Sequence, residues 1–205
     1  MIPRLHVVTD DEILARDDFL GRARQVLEFG ADVAFHIRGP RTGGRRLFDL
    51  AVQLREIAEG SGARLLVNDR VDVALCAGLC GVHLGARSLA CREGRRLLGA
   101  GRLLGVSVHT LEGSREAGED QADFLFLGSI WPTTSHPGRA PAGLGLVRDV
   151  SRPAEVPVLG IGGVTPDRVP TLLEAGAHGV AVVGGIWRVP SSSDAIRAYL
   201  QALSN

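Results

Sequence analysis

The chain has 205 residues, 45% hydrophobic and 22% charged, which suits one sizeable apolar core and fits neither a disordered nor a fibrous class. Its formal net charge is +0, which argues against global attraction to nucleic acid or to an anionic membrane surface, and every basic residue is arginine because the sequence has no lysine. Three cysteines, Cys76, Cys80 and Cys91, form no CxxC pair and are odd in number, which argues against a disulfide framework and suits reduced thiols.

Short β-branched or apolar runs occur in chain order at residues 5–8, 33–37, 64–67, 81–84, 103–106, 124–127, 156–161 and 180–183. They predict eight strands. Helical periodicity fills the intervals. Residues 19–29 place Leu20, Ala23, Val26 and Leu27 on one face, and residues 46–57 do the same with Leu47, Leu50, Ala51, Leu54 and Ile57. A helix is predicted over 166–175, with Thr165 as N-cap, Pro166 at its first position and Gly176 at its C-cap. Residues 194–203 form a closing amphipathic helix. Continuous apolar strands alternating with helices indicate a parallel sheet covered by helices. Eight repeats predict an α/β (β/α)8 TIM barrel, one domain over residues 1–205, with a doubly wound open sheet as the rival. The chain is short for such a barrel, which typically takes roughly 250 residues. No run reaches the roughly 18 apolar residues of a membrane span, and residues 1–10 hold no long apolar leader, so the expected location is cytoplasmic.

A barrel carries its active site at the C-terminal ends of its strands, so the residues there are the functional candidates. Strand seven ends in Gly160-Ile161-Gly162-Gly163-Val164-Thr165-Pro166 and strand eight in Val183-Gly184-Gly185-Ile186. Paired glycines let a backbone approach an anion closely, and N–H groups at a helix start favour it. Gly162, Gly163, Val183, Gly184 and Gly185 are therefore the expected phosphate site. Strand two carries His36 and Arg38 on one face, which should point into the barrel, where Arg38 needs an anionic partner. Strand three ends in Asn68-Asp69-Arg70: Asp69 could serve a metal or a substrate amine, or Asn68 and Asp69 could cap the next helix with Arg70 paired to Asp69. Ser107 after strand five could bond a ligand, and His109 could be structural. The loop from Gly128 to Gly138 is rich in hydroxyls, with Ser129, Thr133 and Ser135, and holds His136, a candidate acid or base near neutral pH. Trp131 in that loop could be a lid, a subunit contact or a buried anchor.

The ordered set Val67-Asn68-Asp69-Arg70-Val71-Asp72, Gly81-Val82-His83-Leu84-Gly85, Gly105-Val106-Ser107-Val108-His109, Gly128 with Pro132-Thr133, Gly160-Ile161-Gly162-Gly163-Val164-Thr165-Pro166 and Gly179-Val180-Ala181-Val182-Val183 resembles the thiamine-phosphate synthase / TenI family over essentially the whole chain. The resemblance implies a (β/α)8 barrel that binds a thiazole phosphate. It also implies one of two activities. The synthase joins a pyrimidine diphosphate to thiazole phosphate and expels pyrophosphate, with Mg²⁺; the TenI branch is a thiazole tautomerase that moves a proton.

Three departures separate this chain from the synthase pattern. Gln-x-Arg-x-Lys is replaced by His36-Ile37-Arg38-Gly39-Pro40, Ser88 stands where a metal-binding aspartate would be, and Pro-Thr-x-Thr-Lys is replaced by Pro132-Thr133-Thr134-Ser135-His136. Two lysines and a metal ligand are thus missing, while the glycine pairs remain, so the residues favour the TenI-type tautomerase, an isomerase. In that reading His136, His36 and Asp69 are catalytic, and Arg38, Asn68, Ser107, Ser129, Thr133 and Ser135 bind substrate. No metal or cofactor is expected, Mg²⁺ entering only with the synthase alternative. The family's tautomerase histidine falls at Ser129 here, so it does not carry over. A non-catalytic thiazole-phosphate sensor is the third reading. The expected partner is a small phosphorylated thiazole, with no nucleic acid and no membrane, and homo-oligomerisation is left open.

Overall fold

A computed structural model of the chain describes residues 1–133 and 140–204. Eight parallel strands close into a barrel in sequence order: β1 (Leu5–Val8), β2 (Val33–Ile37), β3 (Arg64–Asn68), β4 (Gly81–Leu84), β5 (Leu103–Val108), β6 (Phe124–Gly128), β7 (Val158–Ile161) and β8 (Gly179–Val182). β8 pairs back onto β1, with Val7 opposite Val182, so the sheet has no edge. The helices are α1 (Asp11–Leu14), α2 (Phe19–Leu27), α3 (Gly44–Ala58), α4 (Val71–Cys76), α5 (Cys91–Leu98), α6 (Leu111–Glu119), α7 (Gly143–Ser151), α8 (Val169–Glu174), α9 (Gly184–Trp187) and α10 (Ser192–Ser204). Among the described residues no helix is long and apolar enough to cross a membrane.

The strands are buried on both faces, and their side chains alternate between two cores. Outward-pointing Leu5, Val7, Phe35, Ile37, Val67, Leu104 and Leu125 meet the apolar faces of the helices, as with Leu50 and Leu54 of α3. Inward-pointing Val8, Ala34, Leu66, Phe124, Phe126, Leu159 and Ala181 form a smaller cluster inside the barrel. That interior is lopsided. β6 supplies two phenylalanines, β1, β2 and β4 supply His6, His36 and His83, and β5 and β8 make room with the small residues Gly105 and Ala181. Gly105 shows the need: a Cβ there would lie 2.1 Å from the Phe124 ring.

Two of the differences from the periodicity have a proline as their cause. β7 starts at Val158 and not at residue 156, because Pro157 has no N–H for the ladder, although its carbonyl accepts from Leu125 at 2.9 Å. The helix expected over 166–175 is split into a 3₁₀ turn, Pro166–Arg168, followed by α8. Pro170 cannot donate to the Pro166 carbonyl, so the first turn closes on the shorter bond, Arg168 N to Thr165 O at 3.0 Å. Thr165 makes no side-chain cap there. Long-range contacts tie the last helices to the barrel: the Trp187 indole N–H donates to the Val8 carbonyl at 3.0 Å, and the Tyr199 hydroxyl donates to the Val164 carbonyl at 2.9 Å.

Candidate active site

A cavity of about 1060 Å³ opens at the C-terminal ends of the strands. Its lining includes Arg38, Asn68, Asp69, Ser107, Ser129 and Thr133, and also Gly162, Gly163, Val183, Gly184 and Gly185. His136 and Ser135 lie outside the described residues. His36 is not at the mouth. It has no exposed surface and sits one layer down, inside the barrel. The shared face of His36 and Arg38 does point inward, but two residues of strand rise are enough to bury one and leave the other on the cavity wall.

The glycines after β7 have a packing reason. Gly162 has φ +94 and Gly163 φ +67, which L side chains rarely adopt. A Cβ at Gly162 would lie 2.6 Å from the Ser129 Cβ, and one at Gly163 would lie 2.7 Å from the Pro132 carbonyl oxygen. The β7 loop therefore lies directly against the β6 loop. Arg168 fastens the pair: it donates to the Gly163 carbonyl at 2.6 Å and lies over the Trp131 ring at 5.1 Å, which makes Trp131 a packing anchor. After β8, a Cβ at Gly185 would lie 2.3 Å from the Tyr199 hydroxyl, so this glycine lets α10 close on the barrel. Gly184 and Gly185 open the first turn of α9, where backbone N–H groups have no intrahelical acceptor.

Asp69 stands at the end of β3 with φ +63, an uncommon conformation for a residue other than glycine. Its Oδ1 accepts from the Gly85 N–H at 2.8 Å. Neither Asn68 nor Asp69 caps α4, and Arg70 pairs with Asp72, at 2.8 and 2.5 Å, and not with Asp69. Among the described residues, Oδ2 of Asp69 has no partner. Arg38 and Arg87 on the wall likewise have no hydrogen bond or ion pair to their guanidinium groups among the described residues, so no internal carboxylate partners Arg38 there. Sequence motifs did not single out Arg87, Arg168 or Arg188. Arg188 reaches Asp10 at 2.9 Å and Glu12 at 3.2 Å across the rim. Six arginines and four carboxylates line this mouth among the described residues. His109 Nδ1 lies 2.8 Å from the Gly128 carbonyl.

Below the mouth a row of polar groups crosses the barrel. Ser107 Oγ lies 3.3 Å from His83 Nε2, and His83 Nδ1 lies 3.1 Å from the Asn68 carboxamide. The other end of that carboxamide lies 3.3 Å from His36 Nδ1, and His36 Nε2 lies 2.8 Å from His6 Nδ1. His6 Nε2 ends the row, 3.1 Å from the Pro3 carbonyl. Phe126 flanks His83 at 4.2 Å and Phe124 flanks His6 at 4.9 Å between centroids. Burial therefore holds all three imidazoles below their ordinary pKa of 6.5, His36 at about 3, and Arg38 adds to the effect at His83. His6 and His83 were not assigned from sequence. The available signal was parity, since both occupy inward positions of their strands.

Among the described residues no group of three His, Cys, Asp or Glu side chains is placed to hold a metal ion. Mg²⁺ does not need one, because it keeps several waters and binds through one or two carboxylates plus substrate phosphates. Asp69, with one oxygen uncommitted at the mouth, fits that role. Ser88 contributes no carboxylate, and its Oγ is buried without a partner.

A family model described as thiamine monophosphate synthase matches residues 5–186. The chain is 38% identical over 183 residues to a thiamine-phosphate synthase of Methanoculleus marisnigri, covering 89% of this chain and 86% of that protein. It is 34% identical over 182 residues to a thiamine-phosphate synthase of Alkaliphilus oremlandii, covering 89% and 87%. Among solved structures, a thiamine phosphate pyrophosphorylase from Pyrococcus furiosus superposes with TM-score 0.83 at 28% identity, covering 98% of this chain and 95% of that one. These likenesses overturn the expectation of a thiazole tautomerase. They point to a transferase and not an isomerase. The residue count that favoured the isomerase was taken at motif positions. Positive charge at the mouth comes instead from arginines that converge there from several loops.

Proposed function

We propose that this chain, which belongs to the thiamine monophosphate synthase family, joins a pyrimidine diphosphate to a thiazole phosphate and expels pyrophosphate. The observation that carries the reading is identity of 34% and 38%, over most of the chain, to proteins named for that synthesis. The site supports it. A diphosphate leaving group takes the electron pair of the bond that breaks, and the charge must be met by fixed cations. Arg38 faces the cavity with no protein anion paired to it among the described residues, and Arg87 and Arg70 line the same cavity. Gly163, Gly184 and Gly185 would take the phosphate of the thiazole at backbone N–H groups, leaving the arginines to the diphosphate. Asp69 would hold Mg²⁺ through its uncommitted oxygen; bound to the diphosphate, the ion would offset charge on the departing group. Asn68, Ser107, Ser129 and Thr133 would orient the two rings.

Purified protein given both substrates with Mg²⁺ should release pyrophosphate and form thiamine phosphate. Arg38→Ala should lower kcat/KM by about 100-fold, the size expected for loss of a charge-assisted contact to phosphate. Asp69→Asn should raise the Mg²⁺ concentration needed for half-maximal rate. Binding of thiazole phosphate without any pyrophosphate release would overturn the proposal.

A further inference from the structure

The polar row inside the barrel has donors and acceptors that can be counted. Its members come from five consecutive strands, β1 to β5, and the register makes it climb. His36 pairs with Val8, two residues beyond His6; Asn68 lies two residues beyond Leu66, the partner of His36. His83 pairs directly with Asn68, and Ser107 lies two residues beyond Gly105, the partner of His83. The row therefore runs from the bottom of the barrel at Pro3 to the cavity at Ser107.

The Pro3 carbonyl can only accept, so His6 must donate from Nε2. A neutral His6 then accepts at Nδ1, which requires His36 to donate from Nε2 and accept at Nδ1. The Asn68 carboxamide must present its NH₂ to His36 and its oxygen to His83. The structure has Oδ1 toward His36 and Nδ2 toward His83; the chain requires the 180° flip of this carboxamide, which has the same shape. His83 must then donate from Nδ1 and accept at Nε2, and among the described residues the Ser107 hydroxyl is the group placed to donate there. The opposite direction puts protons on both nitrogens of His6, a cation 1% exposed between Phe124 and Phe126 with no carboxylate beside it.

We infer that Ser107, His83, Asn68, His36 and His6 form one directed hydrogen-bond chain ending at Pro3, which commits the Ser107 proton inward and leaves its oxygen facing the cavity as an acceptor only. His6, His36 and His83 are then positioning residues, and Ser107 selects a ligand group that carries an N–H or O–H. Neither glycine pair nor any arginine is involved. The tautomers stand independently of the reaction; the consequence for substrate rests on the synthase reading.

Nitrogen-15 NMR of histidine-labelled protein at pH 7.5 tests the direction without any substrate. His6 and His36 should carry their proton on Nε2 and His83 on Nδ1. His83 protonated on Nε2, or a doubly protonated His6, overturns the inference. In His36→Leu the chain is cut between His6 and Asn68, so the carboxamide is free to turn and His83 should become a mixture of tautomers; an unchanged pure Nδ1–H signal in that folded variant would show that the direction is not relayed through His36 and would overturn the inference. Calorimetry then tests the consequence, using a pyrimidine diphosphate that bears an amino group and its methoxy counterpart. The amino compound should bind at least tenfold more tightly, and the preference should fall to within about twofold in Ser107→Ala. Equal affinities in the unsubstituted protein would overturn the acceptor role. If neither compound binds, the synthase reading falls while the NMR spectrum still decides the chain.

Discussion

His36 shows what burial does to a single titratable side chain. Its imidazole has no exposed surface, and desolvation takes its pKa from 6.5 to about 3. In the unfolded chain it protonates near 6.5, so between that value and about 3 the unfolded state binds the extra proton and the folded state does not. Its contribution to stability is therefore intact above pH 6.5 and is lost progressively as the pH falls through that window. At pH 4.5 the loss from this group is on the order of 2 kcal/mol. His6 and His83 are shifted in the same direction and act with the same sign. Urea midpoints should fall between pH 7.5 and pH 4.5, and His36→Gln should flatten part of that slope. A slope identical in the variant would mean that His36 is not held neutral in the folded chain. The residue's identity was legible in the sequence and so was its face, but its depth was not. Depth depends on where the adjacent strands end, and in the barrel that leaves Arg38 on the wall and His36 beneath it.

At the scale of elements, the loops after β6, β7 and β8 line one side of the cavity, and their glycines differ in how little they tolerate. Gly162 combines φ +94 with a neighbour that leaves no room for a Cβ, whereas at Gly184 the nearest atom, Arg188 Cδ, would lie 3.7 Å away. Gly162→Ala should lower Tm by roughly 4–10 °C, and Gly184→Ala should keep it within about 2 °C. Thermal unfolding of the two variants side by side checks this, and equal losses would mean that the β6 and β7 loops yield to each other. Glycine pairs at these strand ends were readable from sequence because they follow the last two apolar runs. Their steric partners were not: Ser129 and Pro132 come from a different strand's loop. The split of the 166–175 helix was readable in principle, since Pro170 lies four residues after Pro166. A search for caps and periodicity passes over it because each proline alone is compatible with a helix's first turn.

For the whole molecule, a formal net charge of +0 conceals an uneven distribution. The mouth concentrates arginine while the surface elsewhere supplies the balancing acid. A concave site lined with one excess sign draws in an anionic substrate, and salt screens that attraction over a Debye length of about 8–10 Å. Raising KCl from low to high concentration should therefore increase KM for the diphosphate substrate several-fold and leave Tm nearly unchanged. A KM insensitive to salt would place the diphosphate away from Arg38, Arg70 and Arg87. Sequence by itself determined the strand and helix order, the barrel and the family, because apolar periodicity and short motifs are local properties of the chain. It also located Asn68, Asp69, Ser107 and the glycine pairs at strand ends. Only the tertiary structure decided that Arg70 pairs with Asp72, that Arg38 has no protein anion among the described residues, and that three histidines and Asn68 share one row descending from the cavity floor. The Arg70–Asp72 pair is local, two residues apart, but the row joins side chains 15 to 32 residues apart in the chain, and barrel closure and register bring them within hydrogen-bonding distance.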